Sequence, residues 1–278
     1  MGIPTMGVRA HPLNYGRWWD ATWNTTFGCK PLSPGCLNCY AARAAGTLQT
    51  ATDMPLYLGT TDEKGGRYVF NGNLKVLPPE DYSGWTWPLR WKGAASPLLG
   101  PGMPSLLWAA SMSELFLPGR PRSILDRTIG TLAISPHIGL ILAKPVRQMV
   151  AYIDGQLASV QQRWREKLWL GFSAENQVWF DLRWPPMREL AQRSWVVFVS
   201  IAPMLGPVRL PDDFLALARW VICSGEEGLQ EHLRYMEHAW PLAVRDQCAA
   251  AGIPFFMKQM AGEKPIPPAL LVREFPAW

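Results

Sequence analysis

Short apolar runs recur along this chain with helical patterns between them, and that alternation narrows the folds open to it. The runs are Ser105–Ala110, Ile138–Ala143, Leu168–Phe172, Trp195–Ser200, Trp220–Cys223 and Pro254–Met257. Helical patterns fall over Arg122–Ile134, Arg147–Leu157, Pro186–Arg193, Pro211–Ala218 and His232–Ala251. Strands that read as unbroken apolar runs are buried on both faces, as in parallel sheets covered by helices. With an earlier strand over Ala21–Phe27 there are about seven, so the expected class is α/β, a full or partial TIM-like (β/α) barrel.

A length of 278 residues suits one large domain, and an apolar fraction of 48% can fill its core. Residues 1–262 are expected to form that domain, opening with an irregular arm over 1–17. Residues 50–104 are rich in Gly, Pro and Trp and read as an insertion of hairpins or short helices. The Pro-rich tail, 263–278, reads as irregular. No uncharged apolar run reaches the ~18 residues of a membrane span. The N-terminus lacks the apolar centre of a signal peptide. A cytoplasmic location is therefore expected, where thiols stay reduced. The net charge of +5 and the pI near 9.0 permit a polyanionic partner, although no dense Lys/Arg run marks one.

The chemistry concentrates between Thr22 and Ala45, TWNTTFGCKPLSPGCLNCYAARAA, where Cys29, Cys36 and Cys39 stand at C-x6-C-x2-C spacing. Pro34-Gly35 makes a turn before the second cysteine, and an Ala-rich helical pattern follows over Tyr40–Leu48. Strand, cysteine loop and helix in that order can aim several thiolates at one point. Three explanations compete. Unrelated buried thiols are the plainest, but three cysteines in so short a loop are hard to obtain by packing alone. Structural zinc needs four ligands, and here the fourth would be distant: Cys223, Cys248 or one of the four histidines. An iron–sulfur cluster held by three cysteines would keep one iron open for a substrate or cofactor, and the spacing favours this reading. A disulfide fits least, because the cysteine count is odd and nothing implies an oxidising compartment. Cys223 and Cys248 read as packing residues, and His11, His137, His232 and His238 as structural or surface residues.

In parallel α/β barrels, sites form where strands end. Ser111, Ser113 and Glu114 follow the second strand, Lys144 the third, and Ser173, Glu175 and Asn176 the fourth. Ser200 ends the fifth, Glu226 and Glu227 follow the sixth, and Lys258 and Gln259 the last. Simpler roles compete at each position. Ser or Asn at a strand end often caps the next helix, and Glu there favours its dipole. Lys144 and Lys258 compete with a solvated surface role.

The cysteine stretch with its flanking TWN and CYA resembles a phage and bacterial three-Cys-motif family related to radical S-adenosylmethionine (SAM) enzymes. Its first gap is wider than the commonest radical-SAM spacing. Further segments resemble the family in the same order: PLRWK, SMSELF, WLGFSAENQ, the LGP of APMLGP, WVICSGEEG and RDQCAAAGIPFFMKQ. Three blocks depart from it. Ala143-Lys144-Pro145-Val146 replaces Thr-Lys-Arg-Pro, Ile201-Ala202-Pro203 replaces Cys-Glu-Pro, and Ser224-Gly225-Glu226-Glu227-Gly228 replaces Gly-Gly-Glu-Ser-Gly. The resemblance implies retained cofactor chemistry with a shifted substrate. It implies that Cys29, Cys36 and Cys39 hold a [4Fe-4S] cluster whose open iron binds SAM, and that reduction yields a 5′-deoxyadenosyl radical. An electron donor such as flavodoxin or ferredoxin is then expected. Ser111, Ser113 and Glu114 are expected at the SAM amino group. Ser173, Glu175 and Asn176 are expected at its ribose or carboxylate. Lys144, Glu226 and Lys258 are the candidates for substrate contact. The substrate expected first is a modified base in phage DNA, or its nucleotide, undergoing rearrangement or functionalisation. Lesion repair resembling that of spore photoproduct lyase is the second enzymatic reading. A non-catalytic nucleic-acid-binding protein with a zinc or cluster staple is the reading from another class.

Overall fold

A computed structural model describes residues 16–50, 54–93, 98–100, 102–228, 230–262 and 264–277. The irregular arm expected over 1–17 lies outside them except for its last two residues. Contacts divide the chain into two compact units, one running from Trp19 to Ile141 and the other from Leu142 onwards with Trp18. Both are mixed α/β with parallel strands, as the alternation requires.

In the first unit β1 (Ala21–Trp23), β6 (Leu106–Ala109) and the start of β7 (Ile138–Ala143) run parallel in the order β1-β6-β7. Every β6 residue is buried, which accounts for its unbroken apolar sequence. The strand expected over Ala21–Phe27 is in fact two. Asn24 ends the parallel ladder, and its Oδ1 accepts from the Met112 amide at 3.2 Å and the Ser111 hydroxyl at 3.3 Å. Thr26–Phe27 then form β2, antiparallel to β5 (Lys75–Val76). Between them lie α1 (Tyr40–Leu48) and the hairpin β3 (Thr61–Lys64) and β4 (Arg67–Phe70). Gly65 and Gly66 make the two-residue turn with φ of +57° and +72°, the left-handed pair that matches strand twist. One face of α1 is Ala41, Ala42, Ala45 and Gly46, so the hairpin approaches closely. A Cβ on Gly46 would lie 2.1 Å from the Tyr68 ring. Two short helices, α2 (Tyr82–Trp85) and α3 (Trp87–Arg90), and α4 (Arg122–Ile134) complete the unit. A buried hydroxyl pair, Thr25 to Thr128 at 2.8 Å, ties α4 to the chain after β1.

The second unit carries β8 (Leu168–Ser173), β9 (Val196–Ile201), β10 (Trp220–Cys223) and β11 (Phe255–Met257), parallel and in sequence order. Its helices are α5 (Val146–Asp154), α6 (Ala158–Arg165), α7 (Gln177–Gln192), α8 (Asp212–Leu217) and α9 (Ala239–Ala251). Aromatic rings fill the space between helices and strands. Phe172, Phe180, Trp184 and Phe214 pack with centroids 4.9–6.4 Å apart, stacked between Phe172 and Trp184 and edge-on or tilted in the other pairs, geometries that suit their quadrupoles. The tail is fastened to this unit. Glu274 accepts the Trp220 indole N–H on its carbonyl at 2.9 Å and the Phe255 amide on its carboxylate at 3.0 Å.

Three helix expectations change. The helix expected at Arg147–Leu157 ends at Asp154, and a separate α6 follows. The helix expected at Pro186–Arg193 starts at Gln177, with Pro185 and Pro186 inside it. Asn176 begins that helix, its Oδ1 accepting from the Trp179 amide at 3.3 Å. The helix expected at His232–Ala251 starts only at Ala239, which puts Pro241 in its first turn, where a missing N–H costs little.

Gly171, in β8, has no room for a side chain, because a Cβ there would lie 2.3 Å from the buried Phe198 ring. Gly171→Ala is expected to lower stability by about 1–3 kcal/mol through overpacking, read as a lower urea midpoint at unchanged m.

Candidate functional site

The first unit assembles its site around the cysteine loop. β2 ends at Phe27, and Gly28 turns the chain at φ +77°, where a Cβ would fall 2.1 Å from the Asn73 carbonyl. Only glycine meets both demands. Gly28 bridges Ser113, whose hydroxyl donates to the Gly28 carbonyl at 2.7 Å. The loop after β6 is thereby tied to the thiol loop. That second loop begins with Ala110 at φ +56°, a left-handed conformation that costs about 1–2 kcal/mol for a residue with a Cβ. Tyr40 reaches across from the first turn of α1, donating to the Ser111 carbonyl at 2.5 Å.

The three thiols are half-buried and form no disulfide. The Leu32 amide donates to the Cys36 sulfur at 3.4 Å, and the Ser33 hydroxyl stands 3.7 Å from it. Cys39 is the residue from which α1 starts, at the positive end of the helix dipole, which favours negative charge there. Burial pushes the Cys29 thiol well above its usual range, and the fields of Glu114, Cys39 and Cys36 push it further. Cys36 and Cys39 thus both lie within electrostatic reach of Cys29. Glu114 is buried, and its carboxylate accepts the Phe116 amide at 3.0 Å. Arg120 donates to the Glu114 carbonyl at 2.9 Å, and its guanidinium feels both Cys29 and Glu114.

Among the described residues, no three His, Cys, Asp or Glu side chains stand already converged on one metal position. The donor set nevertheless fits an iron–sulfur cluster: three soft thiols, an amide N–H aimed at one sulfur, and partial exclusion of water. Among the described residues of this unit there is no fourth cysteine to complete a zinc site. The described histidine there, His137, is 2.9 Å from the Trp91 carbonyl through Nε2 and packs against the Trp91 ring.

The second unit holds the remaining candidates as three charged groupings. Glu175 is fully buried, and its two carboxylate oxygens meet Lys144 at 2.7 Å and Arg183 at 3.0 Å. Arg183 also donates to the Ser173 carbonyl at 2.8 Å and lies over the Trp179 ring. Asn176 caps α7. Glu226 is buried and takes a forked hydrogen bond from Arg234, whose backbone amide also donates to it at 3.0 Å. Lys258 pairs with Glu227 at 3.2 Å. Lys144 with Glu175 are therefore joined, and Glu226 and Lys258 each have their own partner.

The sequence reading did not single out Asn24, Tyr40, Arg120, Arg183 or Arg234. Arg183 had a usable signal, a charge on the apolar face of a helix that buries Phe180, Trp184 and Met187 around it. The others act through loop contacts that carry no periodic signature.

The DUF5131 family, described as a protein of unknown function, matches residues 15–267. The chain belongs to that family. No curated protein sequence matches it. Two solved structures are similar in part. A spore photoproduct lyase mutant shares 13% identity at a TM-score of 0.43, over 86% of this chain and 64% of its own. Spore photoproduct lyase complexed with dinucleoside spore photoproduct shares 10% identity at a TM-score of 0.48, over 90% of this chain and 80% of its own. The chain thus spans just under two thirds of the length of the first. Likenesses this distant leave the function to be argued from the residues. Among the described residues, no helix is long and apolar enough to cross a membrane.

Glu175 balances one buried cation, Arg183, and the partly exposed Lys144, so Glu175→Gln would leave both facing a neutral amide. That variant is expected to lose about 3–5 kcal/mol of stability, whereas Lys144→Met, which leaves the Arg183 pair, is expected to lose less. Chemical denaturation of both variants checks the order.

Proposed function

We propose that this protein is a radical SAM enzyme of the three-Cys-motif type, a full or partial (β/α) barrel extending to residue 262, that acts on a modified base in phage DNA or on its nucleotide in the host cytoplasm. The observation that carries the reading is the thiol loop: Cys29, Cys36 and Cys39, all half-buried, with a backbone N–H turned onto the Cys36 sulfur. Three thiolates on one short loop suit a [4Fe-4S] cluster with one iron left for SAM. Bound together, that cluster and SAM supply hydrogen-atom abstraction, and the protein binds, orients and shields.

The chain's own residues divide the work. Cys29, Cys36 and Cys39 hold the cluster. Ser111, Ser113 and Glu114 form the loop that is pinned to Gly28 and Tyr40, and they take the SAM amino group, with Glu114 as its carboxylate partner. Ser173 and Asn176 contact ribose or carboxylate, with the buried Glu175 supporting them through its pairs with Lys144 and Arg183. Here Asn176 has its amide nitrogen to offer, since its oxygen is used in capping α7. Lys144, Glu226 and Lys258 contact the substrate, each held in place by an oppositely charged neighbour. A nucleic-acid substrate agrees with the +5 charge and with the stacked Trp87–Trp91 pair, 14° from parallel, beside Arg90 and Lys92. A base in a duplex would be flipped out to reach such a site. Rearrangement or functionalisation of the base is the outcome we favour.

Anaerobic reconstitution tests this directly. Iron and sulfide of about four each per chain are expected, with 5′-deoxyadenosine formed from SAM and dithionite. Cys36→Ala is expected to lose both the iron and the cleavage. Zinc in place of iron, with no SAM turnover whether or not phage DNA is present, would reject the enzyme and favour a binding protein. Reversal of a lesion, in place of rearrangement or functionalisation, would move the assignment to repair.

A further inference from the structure

Buried polar groups in folded proteins are nearly always hydrogen-bonded, so one that is not calls for an explanation. Gln259 is such a group. It follows β11, two residues after Met257, at the end of the strand where sites form in parallel α/β folds. It is 1% exposed, and neither its amide oxygen nor its amide nitrogen has a hydrogen-bond partner among the described residues.

The backbone around it is fixed. The Gly225 amide donates to the Gln259 carbonyl at 2.8 Å, and the Gly262 amide to the Glu226 carbonyl at 3.0 Å. The loops after β10 and β11 touch so closely that a Cβ on Gly225 would lie 2.1 Å from the Ala261 amide nitrogen. The other buried polar side chains of these two loops are matched. Ser224 donates its hydroxyl to the Gly225 carbonyl at 2.8 Å, and Glu226 takes Arg234. Lys258, the residue before Gln259, pairs with Glu227. Of these side chains Gln259 alone keeps both a donor and an acceptor unspent.

We propose that Gln259 reads the pairing edge of the substrate base, its Nε2 donating to a ring acceptor and its Oε1 accepting from the neighbouring N–H. The inference rests on the nucleic-acid reading above and deepens it by naming the residue that tells one base from another. A carboxamide holds an acceptor and donors side by side in one plane, which matches the adjacent N–H and acceptor on the edge of a base. Phosphate suits it less, because the amide is uncharged and the facing loop brings Glu226 and Glu227. The adenine of SAM is the competing base, but Gln259 stands beside Lys258 and is bonded next to Glu226, the residues assigned to the substrate. The amide is closed to solvent in this structure, so a base reaches it by displacing a neighbouring side chain or loop.

Binding of short homopolymeric deoxyoligonucleotides of each base, and of an abasic oligonucleotide of the same length, to the full-length protein tests this independently of turnover. Phosphate contacts are common to all of them, so differences report the base. Wild type is expected to prefer one base by about tenfold or more. Gln259→Met, close in shape but without the amide, is expected to bring that base to within about twofold of the others while leaving the abasic affinity unchanged. The urea midpoint of the ligand-free variant is expected to equal or exceed that of wild type, since the amide has no partner to lose. A wild type without base preference, a preference kept by Gln259→Met whether or not its SAM affinity falls, or a marked drop in the variant's midpoint each overturns the proposal. Iron uptake and SAM cleavage are read separately. Their absence in wild type removes the enzyme while a base preference lost in Gln259→Met still upholds this residue's role, and a preference kept by the variant in a protein that cleaves SAM removes only this inference.

Discussion

Placing three ionisable sulfurs in one short, half-buried loop is unfavourable unless something takes up their charge. Burial alone holds Cys29 as a neutral thiol, and two further thiols and Glu114 within reach make its ionisation harder still. A cationic cluster reverses that balance, because thiolate ligation replaces proton binding. Much of the first unit can be read as the support this loop requires. Gly28 makes the turn that a side chain would block, Ser113 pins the neighbouring strand-end loop to it, and Ala110 accepts a left-handed backbone to start that loop. The Ala and Gly face of α1 lets the hairpin close over the helix that begins at Cys39.

The second unit poses a different electrostatic problem. Glu175 is completely buried, and a carboxylate in that position persists only when paired. Lys144 and Arg183 supply the pairing, and Arg183 is itself fixed by the Ser173 carbonyl and the Trp179 face. Such a network adds little net stability over an apolar core of the same size, but losing one member is costly. Its value lies in holding Lys144 at a strand end with its charge intact. Glu226 with Arg234 and Lys258 with Glu227 repeat the arrangement at β10 and β11.

The strands were the most legible part of the sequence. β7 and β10 have the bounds that their apolar runs indicate, because burial on both faces writes itself as an unbroken run. α1 and α4 also match. α6 left no such trace, since none of its residues is buried and its periodicity carries no apolar stripe. The start of α7 was hidden by Pro185 and Pro186, which read as a helix boundary although the Asn176 cap begins the helix eight residues earlier in the chain than the first of the pair would allow. Asn24 broke an apparent single strand through a side-chain contact with a loop some ninety residues away, which no local pattern reports. The cysteines announced the site by spacing. Their electrostatic coupling, and the arginines that fix the carboxylates, needed coordinates.

The central claim is that three cysteines hold a four-iron cluster with one iron left open for SAM. Mössbauer spectroscopy of isotopically enriched, reconstituted protein, before and after SAM is added, tests it most directly. The account predicts a cluster in which about one iron in four changes its signal on SAM addition while the others stay as they were. A spectrum indifferent to SAM, or a protein that takes up no cluster at all, would contradict it.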